Sequence, residues 1–273
     1  MIRNVKELEN YFLKEIQGFP GKAAYLFTDM EKAECSFERD SQIPVVSASM
    51  IKVPIMLCLF DLIEQGEFSL SSKIMVEESR ILEDSHVFEY GPRKASLYEL
   101  TVWMIVNSDN TATNVLISFL GMDRLNAWFQ EVGLYQTKVE RLMLDYAAIA
   151  DGKNNWITPR DFYLCMKRMK EKEEDHPYAA LALHILKRNR DQDCLLRYLY
   201  EGPAVAHKTG GLDGIVHDAG IFYTTSGAYF LGVFLSEFEH SQAMEKEAQK
   251  LIGRLSRKTY ELKEREAGAW KLA

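Results

Sequence analysis

The chain has 273 residues, 47% of them apolar and 27% charged, which is ordinary globular usage and excludes a disordered or collagen-like chain. Its 33 Lys and Arg against 40 Asp and Glu leave a net charge of −7, so no basic field exists to gather phosphates and nucleic acid is excluded as a partner. No apolar run approaches the roughly 20 residues needed to cross a bilayer. The first 20 residues carry Arg3, Lys6, Glu7, Glu9, Lys14 and Glu15 where a secretion signal would be apolar. The chain as given therefore reads as cytoplasmic, or as secreted or periplasmic if its N-terminus was trimmed. Cys35, Cys58, Cys165 and Cys194 form no CxxC pair and read as reduced thiols, and Ala269-Trp270-Lys271-Leu272-Ala273 has the composition of an appended tail.

Val5, Leu8, Phe12 and Ile16 repeat at helical spacing until Gly18-Phe19-Pro20-Gly21, which predicts an opening amphipathic helix. Two short runs, Lys22 to Thr28 and Cys35 to Arg39, flank the polar Asp29-Met30-Glu31-Lys32 and predict a hairpin. From about Met50 to Lys170 the pattern is helical, with Gly66, Gly121 and Gly133 as stops and Asp109 and Thr158-Pro159 as starts. The charged run Lys170 to His176 reads as a solvated face. Strand signals return at Ala204 to Leu212, Ala219 to Thr225 and Ala228 to Glu237, and Met244, Ala248, Leu251, Ile252 and Leu255 mark a closing amphipathic helix. Isolated hairpins are marginal in water, so the first hairpin is expected to pair with the last three strands. The predicted fold is α/β of the α+β type: a five-stranded antiparallel sheet flanked by the N- and C-terminal helices, from residues 1–46 and 200–273, with an all-helical domain at 47–199 inserted and a site in the cleft between them.

Three short motifs carry candidate chemistry. Ser49-Met50-Ile51-Lys52 is the one Ser-x-x-Lys in the chain, and on a helix positions i and i+3 share a face. A desolvated lysine there can take a proton from serine, although a capping serine followed by a lysine reaching for solvent has the same pattern. Ser108-Asp109-Asn110 opens the next helix and is equally a set of good N-cap residues. Lys208-Thr209-Gly210-Gly211 lies in a predicted strand, where paired glycines admit a ligand close to the backbone or mark a bulge.

Taken together and in this order, the three motifs resemble those of the class A β-lactamases and related penicillin-recognising serine hydrolases. The resemblance extends over Ser108-Asp109-Asn110-Thr111-Ala112-Thr113-Asn114 and Thr158-Pro159-Arg160-Asp161, hence over nearly the whole chain. It implies that Ser49 is the acylated nucleophile, Lys52 the base or proton relay, and Ser108 the proton donor to the leaving nitrogen. It further implies that Lys208 holds Ser108 and the substrate carboxylate electrostatically, that Thr209 binds that carboxylate, that Asn110 bonds the acyl side-chain amide, and that the N–H groups of Ser49 and Gly211, beside Gly210, form an oxyanion hole.

Two departures stand out. The family's hydrolytic Glu-x-x-Leu-Asn stretch is missing; Arg141-Leu142-Met143-Leu144-Asp145 occupies the region, leaving Asp145 as either the deacylation base or a solvated or Arg141-paired surface residue. The arginine that binds substrate carboxylate in many relatives is absent from Gly214 to Asp218, where His217 is either its substitute or half of a structural pair with Asp218. Tyr90, in the loop Asp84 to Arg93, either walls the cleft or packs the loop. The histidines show no metal-ligand spacing, so no metal or cofactor is expected. The implied activity is β-lactam hydrolysis through a Ser49 acyl-enzyme with slow deacylation, by a monomer acting on a small-molecule β-lactam or an acyl-peptide or ester. The alternatives are a D-Ala-D-Ala carboxypeptidase or small esterase of the same fold, and an acyl-stable penicillin-binding sensor.

Overall fold

The computed structural model describes residues 2–200, 202–266 and 268, so the tail Ala269–Ala273 lies outside the described residues. The chain divides into two units, residues 1–43 with 191–273 and residues 44–190, against the predicted changes near 46 and 200.

Helix α1 (Val5–Gln17) starts where Asn4 accepts a hydrogen bond from the Glu7 N–H and ends at Gly18. Its Leu8, Phe12 and Ile16 are buried as their spacing requires. Strands β1 (Lys22–Asp29) and β2 (Ser36–Arg39) form the expected hairpin, and the Phe12 ring meets Tyr25 and Phe37 edge-on at 5.3 and 5.1 Å between centroids.

The second unit opens with β3 (Val45–Val46) and α2 (Lys52–Glu64), a helix buried nearly all round, as its almost continuous apolar run demands. Next come β4 (Lys73–Val76), β5 (Arg93–Ser96) and α3 (Leu97–Val106), the last begun by a reciprocal capping box of Ser96 and Glu99. They are followed by α4 (Asn110–Leu120), capped by Asp109, then α5 (Met122–Glu131) and α6 (Tyr146–Ala150). Strand β6 (Trp156–Ile157), α7 (Pro159–Glu171) with its Thr158 cap and first-turn proline, and α8 (Pro177–Leu186) complete the unit. The mainly helical character stands, but the unit also carries two small ribbons, β3 with β6 and β4 with β5, too short to show as alternating patterns. The run Lys170 to His176 is not a purely solvated face: Glu173 is half-buried, with Lys170 at 3.0 Å and Lys187 at 3.2 Å.

The first unit resumes with β7 (Ala204–Leu212), β8 (Ile215–Thr224), β9 (Gly227–Ser236) and α9 (Gln242–Glu266). Strand order is β2-β1-β9-β8-β7, antiparallel throughout, with Tyr25 opposite Val233 and Asp218 opposite both Thr209 and Val233. One face packs Phe27, Val205, Phe222, Tyr229 and Leu231 with the apolar stripes of α1 and α9. Truncation of a ring such as Phe12 in this layer costs about 3–5 kcal/mol. Gly214 turns β7 into β8 at φ 69°, and a Cβ there would fall 2.6 Å from the Phe238 carbonyl oxygen. Among the described residues, no helix is long and apolar enough to cross a membrane.

Candidate active site

Ser49 is half-buried in a 3-10 turn, Ala48–Ile51, immediately ahead of α2, so it is not an N-cap of the α-helix. Ala48, just before it, holds φ at 44°, a left-handed conformation that alanine does not favour and that persists where surrounding structure imposes it. The chain is anchored on both sides of it: the Ser47 N–H donates to the distant Asn155 carbonyl at 2.8 Å and the Met50 N–H to that of Ser47 at 3.0 Å.

Lys52 begins α2 and is fully buried. It does not reach for solvent; its Nζ donates to the Ser108 carbonyl at 2.6 Å, to Ser108 Oγ at 3.1 Å and to Asn110 Oδ1 at 2.8 Å. Burying an ammonium is costly unless its hydrogens are taken up, and these acceptors do so. Ser108 presents both its oxygens because its backbone, too, is left-handed, at φ 54°. That conformation is held by Asp109, whose Oδ1 accepts from the Ala112 N–H at 2.7 Å and whose Oδ2 accepts from Ser85 Oγ at 2.5 Å. Burial pushes the Asp109 carboxyl upward against those hydrogen bonds. The N-cap reading of the triplet is thus correct for Asp109 alone, while its neighbours Ser108 and Asn110 face Lys52.

The polar loop before α3 completes this cluster. Leu82 N–H donates to Thr111 Oγ1 at 2.9 Å, and Asn110 Nδ2 donates to Asp84 Oδ2 at 2.7 Å. Asp84 and Ser85 were not singled out from the sequence, because residues about 25 positions from their partners carry no periodic signal. Tyr90 stands 96% exposed, so it does not pack the loop.

One turn after Asn110, Asn114 grips the loop that replaces the Glu-x-x-Leu-Asn stretch. Its Oδ1 accepts from the Met143 N–H at 2.7 Å and its Nδ2 donates to the Met143 carbonyl at 3.1 Å, leaving Met143 buried. Asn155 accepts from the N–H groups of Glu140 and Arg141 and fixes the loop's other side. Asp145 caps α6, its Oδ1 accepting from the Ala148 N–H at 3.0 Å. Arg141 is buried and donates to Asn154 Oδ1 and the Leu142 carbonyl, while the nearby Asp145 charge favours its charged form against burial.

On the sheet unit, β7 carries Lys208, Thr209 and Gly210, all buried, and the exposed Gly211. Lys208 Nζ donates to the Thr209 carbonyl at 2.9 Å. Burial lowers its ammonium to about 8, opposed by Asp191 and Asp218. The structural pairing of His217 with Asp218 is corrected: Asp218 Oδ1 meets His207 Nδ1 at 2.9 Å, and its Oδ2 accepts from the Leu195 N–H at 2.9 Å. Successive residues of a strand face opposite sides, so His217 cannot share Asp218's face, whereas His207 lies diagonally across from it on β7. Gly220, opposite His207, makes the room, since a Cβ there would sit 2.4 Å from His207 Cβ. His217 is fully buried, opposite Gly210, with its ring 4.8 Å from that of Phe234. Among the described residues, no group of His, Cys, Asp and Glu is arranged to hold a metal ion.

A profile of the family described as the beta-lactamase enzyme family matches residues 5–262. Among curated proteins, none matches this chain by sequence. A solved β-lactamase from Chitinophaga pinensis is 19% identical, with a TM-score of 0.84 over 93% of this chain and 98% of that one. A representative class A β-lactamase from Bacteroides cellulosilyticus is 21% identical, with a TM-score of 0.82 over 96% and 99%. PBP-A is 26% identical with a TM-score of 0.84 over 96% and 98%, and the same figures hold for its leucine-to-glutamate mutant, solved as an acyl-enzyme complex with penicillin G.

Proposed function

The chain belongs to the β-lactamase enzyme family, and from that premise we propose that it is a serine acyl-hydrolase that opens the β-lactam amide through an acyl-enzyme on Ser49 and releases the product slowly. The observation that carries this reading is the Lys52 ammonium position, one turn from Ser49, buried, and hydrogen-bonded to Ser108 Oγ and Asn110 Oδ1. In its free-amine form Lys52 takes the Ser49 hydroxyl proton as Oγ bonds to the lactam carbonyl carbon. The carbonyl π electrons move to oxygen, where the N–H groups of Ser49 and Gly211 stabilise them. When the C–N bond breaks, its electron pair leaves on nitrogen, and Ser108 supplies that nitrogen with a proton and is reprotonated from Lys52. Asn110 bonds the acyl side-chain amide, and Lys208 and Thr209 hold the substrate carboxylate.

Slow release follows from the loop. Hydrolysing the ester requires a base for the attacking water, yet Met143, the residue drawn against α4, is apolar, and Asp145 is engaged as a helix cap. PBP-A, a relative of closely similar fold, forms an acyl-enzyme with penicillin G in its leucine-to-glutamate mutant, which supports penicillin acylation on this scaffold. The same loop favours an acyl-stable penicillin-binding protein as the second reading. Intact-mass measurement with benzylpenicillin tests both: the wild type gains one penicillin mass, Ser49→Ala gains none while remaining folded, and labelling of Ser49→Ala refutes the assignment. A stoichiometric burst followed by slow turnover marks the hydrolase; an adduct that never turns over marks the binding protein.

A further inference from the structure

The exposed carboxylate beyond Asn110 has no part in the chemistry assigned above. The Asn110 amide lies between two charges: Oδ1 accepts from the Lys52 ammonium at 2.8 Å, and Nδ2 donates to Asp84 Oδ2 at 2.7 Å. A cation on one side and an anion on the other fix the amide's orientation, because the reversed amide would set donors against the ammonium and an acceptor against the carboxylate. Nδ2 keeps a second hydrogen, the one that bonds the acyl side-chain carbonyl in the reading above. Asp84 is also not a wandering surface charge. The chain is tied down two residues before it, where Leu82 N–H meets Thr111 Oγ1, and one residue after it, where Ser85 Oγ meets the buried Asp109 carboxylate. The Asp84 side chain stays exposed, so a ligand can reach it.

We propose that Asp84 is a specificity-determining residue that selects, among the molecules acylating Ser49, those whose acyl side chain bears an ammonium on the carbon next to the amide carbonyl, and disfavours those bearing a carboxylate there. This rests on the acylation of Ser49 and the placing of the acyl amide on Asn110. A substituent on that carbon lies beside the Asn110 amide, whose other hydrogen is already on Asp84, so the two charges are near neighbours. At an exposed position their interaction changes rates by roughly fivefold for each sign of charge and weakens with salt.

Ampicillin, benzylpenicillin and carbenicillin differ at this carbon alone, carrying an amine, a hydrogen and a carboxylate. Their second-order rates of Ser49 acylation are measured by mass at pH ~6.5, below the ordinary α-amino range, in low and high salt. The expected order in the wild type at low salt is ampicillin, benzylpenicillin, carbenicillin, with roughly tenfold or more between the extremes, compressed by high salt. Asp84→Asn, which keeps an acceptor for Asn110, brings the ratio of the extremes near one, and Asp84→Lys inverts it. A merely structural Asp84 would slow all three substrates together. Equal rates in the wild type, or an order that survives both substitutions, overturns the proposal while leaving Ser49 acylation intact. Failure of benzylpenicillin to acylate the wild type removes the Ser49 reading and this inference with it.

Discussion

Each unit buries one lysine of the proposed machinery, and the two lie in different surroundings. Lys52, on the helical unit, is surrounded by short-range acceptors, the Ser108 carbonyl, Ser108 Oγ and Asn110 Oδ1. Lys208, on the sheet unit, bonds the carbonyl of its neighbour Thr209 and is otherwise supported by the charges of Asp191 and Asp218, while burial pulls its ammonium down to about 8. Of these acceptors the Ser108 hydroxyl can both receive and pass on a proton, as the proposed role of Lys52 requires, while the two carbonyl oxygens orient the Lys52 amine. The neighbouring carboxylates favour the charged form of Lys208, which suits a group that holds an anion.

Substituting the lysines and the residues around them breaks this contrast in graded steps. Lys52→Ala has the largest expected effect: acylation by benzylpenicillin, followed by intact mass, slows by roughly 10²- to 10⁴-fold, as loss of a general base predicts. A loss under tenfold would deny Lys52 the proton.

Met143→Glu comes next. It supplies the missing base on the residue held by Asn114 and accelerates deacylation by roughly 10²-fold, read as a faster steady state after the burst. Leu144→Glu is the poorer choice, because the Asn114 amide holds the backbone of Met143 and not that of Leu144.

The Lys208 effect is read in pH. Acylation by a carboxylate-bearing penicillin under substrate-limited conditions falls as pH rises through about 8, by roughly tenfold per unit well above it, since the free enzyme's essential charge is being lost. The stability consequence has the opposite sign. Between about 8 and the ordinary 10.5 the unfolded chain binds a proton that the folded chain lacks, so this lysine's contribution to stability increases with pH across that window. Lys208→Met should flatten that rise in denaturant melts.

Asp145→Asn is the smallest expected effect. Asparagine caps a helix as well as aspartate does, so stability and the deacylation rate change by less than about twofold; accumulation of acyl-enzyme in this variant alone would restore Asp145 as the base.

Amino-acid order by itself determined the elements whose signals are local. The 3.6-residue spacing of Leu8, Phe12 and Ile16, the Asp109 and Thr158 caps, and the two runs around residues 29–32 were all legible, because each depends on neighbours within one or two turns of chain. So was the family, since three motifs at fixed order are a chemical inventory readable without coordinates. Tertiary structure decided the rest. That Asp218 takes His207 instead of the adjacent His217 follows from strand alternation and register across a hairpin. That Met143 is the loop residue gripped by Asn114, and that Asp84 holds the far end of the Asn110 amide, depends on hydrogen bonds spanning more than twenty residues. Such contacts are selected by the packing of whole elements, and no spacing in the chain encodes them.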